Sequence, residues 1–185
     1  LESFRLSLNY SDYQHKELEG TEVGTVFDNQ QLNARGVFQQ LTSGFVSGSF
    51  GFSFFTRNYE AIGEEALSPP VDQNNFALFA LEELNFKRFK LQFGGRLEHN
   101  RYNPVGLVDR SFTEVSGAAG VYVPLWKNGA FVVNYTNSSR TPALEELYNK
   151  GPHHGNKAFE IGNPYLRRER SNGLDFSIRH EASQI

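Results

Sequence analysis

Two adjacent histidines, His153 and His154, are the side chains of this sequence best suited to binding a metal ion. Imidazole and carboxylate groups both suit zinc and related metals, and Glu160 follows a short way along the chain. Neighbouring side chains point apart in an extended segment, so the pair could not chelate one ion by itself. A metal site at this pair therefore needs a partner such as Glu160, His15, His99 or a loop carboxylate, and the predicted ligands are His153, His154 and Glu160. Solvated loop histidines are the other interpretation.

Charged residues around this pair form a second candidate surface, between Arg140 and Glu169. The candidates for contact with a small-molecule or metal substrate are Arg140, Glu145, Tyr148, His153, His154 and Glu160. A second interpretation is that the charges pair with one another and hold a long loop in one shape. The residues of that network would be Arg140, Glu145, Glu146, Glu160, Arg167, Arg168 and Glu169.

Several other kinds of chemistry are excluded by composition and motif. The 185 residues include no Cys, so disulfides and cysteine-based metal or catalytic sites are absent. The net charge of -3 is small and both signs are spread along the chain, which gives no surface for nucleic acid. No nucleophile, phosphate-binding loop or catalytic carboxylate pair stands out. These exclusions leave no sign of an enzyme and imply no firm cofactor, although zinc or another metal could be the substrate that the candidate residues bind.

The elements that must position the candidate residues are β-strands. Apolar and polar residues alternate from Phe4 to Ser11, and most cleanly from Phe89 to Glu98. We count about eight such segments of about nine or more residues, the length that a tilted strand needs to cross a bilayer. The turns at Thr42-Ser43-Gly44, Lys87-Arg88 and Pro124 to Gly129 are short. Longer connections are expected at Tyr13 to Gly20, Asn58 to Asn74, Tyr102 to Arg110 and Ser139 to Ser171.

This pattern predicts an all-β fold of antiparallel up-and-down strands, as in transmembrane β-barrels with short turns on one side and long loops on the other. One face of the strands is rich in Phe. The other carries Gly and Ser, with charges that would face a lumen: Arg5, Arg35, Lys90, Arg96, Glu98, Glu114, Asp175 and Arg179. Two alternatives stay open. One is a complete eight-stranded outer-membrane barrel with an anchoring or adhesion role, and the other is a soluble ligand-binding β-barrel.

The longest connection, from Ser139 to Ser171, has local structure of its own. Thr141 is a plausible N-cap for a short helix that has Pro142 at its first position and carboxylates in its early turns. The residues Gly162-Asn163-Pro164 predict a turn back toward the next strand.

Motifs in this connection resemble those of TonB-dependent outer-membrane receptors. They are Ser139-Arg140-Thr141-Pro142, Glu145-Glu146-Leu147-Tyr148, Gly151-Pro152-His153, Phe159-Glu160-Ile161-Gly162-Asn163-Pro164, Leu166 and Glu169-Arg170-Ser171. The segment from Tyr59 to Ala66, followed by Pro69-Pro70, is similar to a loop in the branch associated with zinc and other metals.

The resemblance implies that residues 1–185 are part of a larger barrel of about 22 strands. A plug domain inside that barrel is not visible in this sequence, and residues 139–171 would be a long extracellular loop. By the same resemblance the parent receptor lies in the bacterial outer membrane and actively takes up a scarce nutrient. The nutrient would be a metal ion or a metal complex such as a siderophore or haem. The partners implied are outer-membrane lipid, the plug of the same receptor and, through it, TonB.

Overall fold

A computed structural model of the chain describes residues 1–64, 66–153 and 157–180. An antiparallel sheet of eight strands takes up most of the chain, and its strands neighbour one another in sequence order. Along the chain, a short helix and a two-stranded sheet come between the last two strands of this sheet, which pair with each other. The elements are β1 (Ser3–Glu19), β2 (Glu22–Gln39), β3 (Val46–Gly63), β4 (Val71–Asn85), β5 (Lys90–Pro104), β6 (Arg110–Trp126), β7 (Gly129–Arg140), α1 (Leu144–Tyr148), β8 (Lys150–His153), β9 (Ala158–Ile161) and β10 (Glu169–His180).

The register of the strands separates the side chains into two faces. Phe4 pairs with Phe38, and Phe38 pairs with Phe50, so one face carries a row of stacked rings with centroids 4.5 and 5.2 Å apart. We call this the apolar face. The eight charged residues predicted to face a lumen all fall on the opposite side, which we call the charged face. The predicted all-β, antiparallel, up-and-down fold is confirmed.

The two ends of the sheet differ in their connections. At the end that we call the turn end, the strands are joined through residues 40–45, 86–89 and 127–128. The predicted turn at Ser43-Gly44 forms there with Gly44 at a φ of 61°, and the Phe86 amide donates to the Phe89 carbonyl at 3.0 Å across Lys87-Arg88. At the opposite end, the loop end, the connections are residues 20–21, 64–70, 105–109 and 141–168.

Three connections at the loop end are shorter than predicted. Tyr13 to Glu19 continue β1, so a two-residue turn follows where a polar connection was expected. The strands on either side of residues 64–70 and 105–109 extend in the same way. The physical reason is that ladder hydrogen bonds join backbone groups, so a strand continues through polar residues wherever an antiparallel partner is present. The resulting strands of 15 to 18 residues exceed the roughly 9–11 needed to cross a bilayer.

The buried side chains concentrate on the charged face at the loop end. A cluster of Val71, Tyr102, Phe112, Leu144, Leu147 and Tyr148 packs there, with Tyr59 and Leu166 against it. By contrast, large side chains of the apolar face stay exposed, for example Leu8 at 65% and Ile178 at 72%. The soluble-barrel alternative required the apolar face to line the interior, and the exposure of these side chains counts against it.

The outermost strands, β1 and β10, lie at opposite edges of the sheet and are not paired within the described residues. The alternative of a closed eight-stranded barrel needed Phe4 to Tyr10 to pair with Leu174 to Ile178, and it is therefore wrong. Among the described residues, no helix has the length and hydropathy to cross a membrane.

Candidate binding loop and the cavity beside it

The segment 141–168 begins with the single helical turn α1. Its N-cap is Ala143, whose amide donates to the Glu146 Oε2 at 2.7 Å. The prediction that Thr141 caps this helix is wrong. The Thr141 hydroxyl donates instead to Glu114 Oε1 at 2.6 Å, because β6 presents that carboxylate, 5% exposed, directly beside it. Thr141 thus ties the start of the segment to the wall of the sheet.

Three residues of α1 hold the helix on the charged face. Leu144, Leu147 and Tyr148 follow the spacing that places side chains on one side of a helix, and all three are buried. The Tyr148 hydroxyl donates to the Val108 carbonyl at 3.2 Å, and burial raises the pKa of this phenol to about 12. The segment therefore packs onto the sheet through its own small core. Substrate contact by Tyr148 stays a prediction, and it would require this ring, 4% exposed, to become accessible.

Arg140 lies at the base of the segment between two carboxylates. Its Nη1 and Nη2 donate to Glu146 at 3.0 Å each, and its Nε donates to Glu169 Oε2 at 3.0 Å. The Arg140 hydrogen bonds, with the Ala143 amide, lower the pKa of Glu146, and the same guanidinium lowers the pKa of Glu169. Because the fork of Arg140 is satisfied within the chain, this part of the predicted charge cluster forms a self-pairing network. Substrate contact by Arg140 stays a prediction.

Backbone contacts join the rest of the segment to its surroundings. The Lys150 amide donates to the Leu67 carbonyl at 2.6 Å, and the Gly162 amide donates to the Asn149 carbonyl at 2.6 Å. A Cβ on Gly162 would lie 2.7 Å from the Tyr148 nitrogen, so this close approach requires glycine. The predicted turn after Gly162 is confirmed, with the Leu166 amide donating to the Asn163 carbonyl at 3.1 Å.

Sequence reasoning missed two residues that position the segment. Arg110, at the start of β6, donates to the Leu166 carbonyl at 3.0 Å and to the Pro164 carbonyl. Asn149 is buried and its Nδ2 donates to Glu160 Oε2 at 2.7 Å. No local motif marks either residue, since the partners of Arg110 lie more than fifty positions away. The Arg110 contacts form when segment 141–168 docks beside β6, whereas the Asn149 contact lies next to the β8–β9 pair.

A cavity of about 360 Å³ lies between this segment and the neighbouring strands. Its lining residues are His15, Glu17, Phe27, Tyr59, Leu67, Glu145, Asn149, His153 and Glu160. The fold thus brings Glu145, His153 and Glu160 to one cavity, with His15 as the partner considered from the sequence.

The other predicted site residues that the structure describes do not line this cavity. His99 is on the apolar face, where its Nδ1 is 2.9 Å from the Thr113 Oγ1. Arg140 and Tyr148 do not line the cavity. His154 lies outside the described residues. Within the residues that are described, no group of three or more His, Asp and Glu side chains is arranged to hold a metal ion. The metal site at His153, His154 and Glu160 stays a prediction.

The charged face continues below the segment as a hydrogen-bonded polar wall. Arg96 Nε lies 2.5 Å from Glu98 Oε2, and the Asn75 amide donates to Glu98 Oε1 at 2.5 Å. The Arg35 guanidinium lies over the Phe79 ring, 4.6 Å from its centroid. This face is polar but internally paired, which suits contact with water or with another polar surface.

The chain matches one protein family over almost its entire length. Residues 2–184 match the family of TonB dependent receptor-like β-barrels. The chain belongs to this family. Receptors of this family are transporters and not enzymes, and residues 2–184 correspond to their β-barrel.

Two solved structures share the fold of this TonB-dependent receptor chain. One is a double mutant of the Serratia marcescens hemophore receptor HasR in complex with its hemophore HasA and heme. It matches 95% of this chain and 33% of its own, with 17% identity and a TM-score of 0.75. The other is the copper transporter OprC, which matches 97% of this chain and 33% of its own, with 14% identity and a TM-score of 0.68. This chain therefore spans about a third of the length of either protein.

Proposed function

We propose that this chain is part of the outer-membrane barrel of a receptor that takes up a scarce metal ion or metal complex. The observation that carries the proposal is the cavity at the loop end, where imidazole and carboxylate side chains converge beside a fixed loop segment. These groups suit zinc, copper and related ions. The printed names of both structural relatives concern metal-containing cargo, namely heme and copper.

The two faces of the sheet support the placement in the membrane and the partners. Outer-membrane lipid would cover the apolar face, whose Phe and Leu side chains are exposed. A plug domain of the same receptor would lie against the charged face and would couple it to TonB. The loop end, with segment 141–168, would then face the cell exterior and meet the substrate first.

Two observations favour different classes of cargo. Phe159, Ile161 and Tyr165 of the segment are 62%, 77% and 74% exposed, which provides an apolar surface next to the cavity. A haem or siderophore would use such a surface, whereas a free ion would use the cavity alone. The resemblance of Tyr59 to Ala66 to the zinc-associated branch favours the free ion, and we therefore place zinc first.

Isotope uptake in cells tests the proposal. A strain lacking the receptor gene, grown under metal limitation, is compared with the same strain carrying the gene in its outer membrane. We expect uptake of radiolabelled zinc, copper or haem-bound iron to fall to background in the deletion strain and to return on complementation. Equal uptake of all three cargoes with and without the gene would contradict the proposed function.

A further inference from the structure

Charged side chains are distributed unevenly between the two ends of the sheet. The three turns at the turn end contain three charged side chains, and all three are basic, namely Lys87, Arg88 and Lys127. The three short connections at the loop end contain acidic side chains, among them Glu64 and Asp109, and no basic one. The connections are therefore positively charged at the turn end and negatively charged at the loop end, outside segment 141–168.

The basic side chains of these turns are available to a partner. Lys87, Arg88 and Lys127 are exposed, and none of them forms an ion pair with another described residue. Glu82 and Glu83, the carboxylates of β4 nearest in sequence to the turn, accept hydrogen bonds from amide side chains at 2.5 to 2.7 Å. The positive charge of the turns is therefore not paired within the described part of the chain.

Aromatic rings mark the border between the apolar face and these turns. Phe86 and Phe89 flank the basic residues of the β4–β5 turn, and their rings lie with centroids 4.7 Å apart. Trp126, directly before Lys127, is 47% exposed, and its Nε1 donates to the His180 Nδ1 at 3.1 Å. In membrane barrels, aromatic side chains form girdles at the level of the lipid headgroups. The basic side chains therefore lie just beyond the level at which the acyl chains of a bilayer would end.

The sheet brings the two basic turns close to each other. The β4–β5 turn and the β6–β7 turn are two strand spacings apart, which is about 10 Å because neighbouring strands lie roughly 4.8 Å apart. Lysine and arginine have long stems that lie along apolar surface while the charged group reaches the headgroup level. Both bind phosphate oxygens, and basic groups near a membrane surface attract anionic lipids. The chemistry of the turn end thus fits a phosphate group attached to acyl chains.

We propose that the turn end is a docking surface for the headgroups of anionic phospholipids, with Lys87, Arg88 and Lys127 binding the phosphates next to the aromatic girdle. This inference rests on the proposed function for the placement of the apolar face in lipid. It adds the class of lipid that the turn end selects from the surrounding leaflet. Anionic lipid would be enriched around the turns, and the bound headgroups would hold this end of the sheet at a fixed depth in the bilayer.

Quenching of Trp126 fluorescence tests the docking surface. The full-length receptor is reconstituted in vesicles of phosphatidylcholine and phosphatidylglycerol, in which one lipid or the other carries bromine on its acyl chains. Subtracting the spectrum of Trp126→Phe isolates the signal of this ring. We expect brominated phosphatidylglycerol to be enriched about fivefold over brominated phosphatidylcholine around Trp126. In Arg88→Gln/Lys127→Gln the enrichment should fall at least to about half, because two of the three basic groups are removed.

A charge-matched pair of changes at the loop end is the control. Lys16→Gln/Arg101→Gln removes the same two residue types on the side of the sheet that carries the apolar face, and the preference for phosphatidylglycerol at Trp126 should persist. Heat-modifiable migration on gels verifies that each variant keeps a folded barrel.

The outcomes separate this inference from the proposed function. Equal quenching by the two lipids in the parent would overturn the docking surface and leave the placement in lipid intact. An equal loss of preference in the control pair would also overturn it, since the attraction would then not depend on the turn end. Quenching by neither lipid would contradict the placement in lipid and the docking surface together. Failure of the proposed cargo appears separately, as unchanged isotope uptake in the deletion strain.

Discussion

The turn end and the loop end of the sheet bury their apolar side chains to different extents. At the turn end, Phe45, Phe86 and Phe89 stack on one another with centroids 5.2 and 4.7 Å apart, yet their rings stay more than a third exposed. At the loop end, Leu144, Leu147 and Tyr148 are almost fully buried against β4, β5 and β6. The sheet has an irregularity in its pairing near each end, at Glu17/Leu18 and at Pro124/Trp126, so the main difference lies in how the side chains are buried.

This difference shows where the chain supplies its own core and where it relies on its surroundings. The turn end and the apolar face leave large side chains exposed, and a bilayer would cover them at little cost. At the loop end, by contrast, the chain buries apolar side chains by itself, because segment 141–168 packs on the sheet there. Segment 141–168 is therefore expected to stay docked on the sheet. The three experiments below test this contrast between the two ends.

The largest expected effect comes from removing a core side chain at the loop end. Leu147 is 1% exposed, so Leu147→Ala should destabilise the docking of segment 141–168 by about 2–5 kcal/mol. Hydrogen exchange followed by mass spectrometry on the full-length receptor in micelles measures this docking. Leu8→Ala on the apolar face is the matched control and should leave exchange in residues 141–149 unchanged. Equal effects of the two changes would remove the contrast between the ends.

A smaller effect is expected where two backbones meet. A Cβ added at Gly162 would lie 2.7 to 2.9 Å from backbone atoms of residues 147–149, so Gly162→Ala should cost about 1–3 kcal/mol of docking free energy. Gly95→Ala is the control, because a Cβ there has nothing within 4 Å. Protease accessibility of segment 141–168 should rise in the first variant only. A segment equally protected in both variants would show that this close approach is not required.

The smallest effect is expected from acid. The Arg140 guanidinium, followed by the Ala143 amide, holds the pKa of Glu146 below its ordinary value of 4.5. Ionised Glu146 therefore stabilises the segment above pH 4.5, and this contribution is lost as the pH falls through the lowered folded-state pKa. Residues 141–149 should be better protected from exchange than in Glu146→Gln above pH 4.5, and this advantage should disappear as the pH falls below it. An advantage that persists unchanged at low pH would contradict the role of the Glu146 charge. Because Glu146 is exposed to solvent, the change should be modest.

Much of the fold could be predicted from short-range patterns. Alternation along β1 and β5 assigned each side chain to a face correctly, because successive side chains of a strand point to opposite sides. The tight turns at Ser43-Gly44 and Lys87-Arg88 were also predicted correctly. The strand ends at the loop end were not, because the polar residues from Tyr13 to Glu19 carry no sign of whether a partner strand continues beside them.

The loop segment could be read only in part. The sequence pointed to a short helix near Leu144 and to the turn after Gly162, but it placed the N-cap at Thr141 because a hydroxyl before Pro142 normally caps a helix. Glu114 competes for that hydroxyl from a neighbouring strand. The sequence predicted that Glu145, His153 and Glu160 belong to one region. It did not predict the place of Glu17 or the orientation of His15.

The family, the two faces of the sheet and the order of its strands could be predicted from the sequence, because each depends on residue types at fixed short spacings. The face that carries the core, the partners of Arg140 and the histidines that share a cavity became known from the folded structure. Those contacts join residues from different strands, such as His15 and His153. Their proximity is set by strand register and by the docking of segment 141–168, and neither is encoded at any one position of the chain.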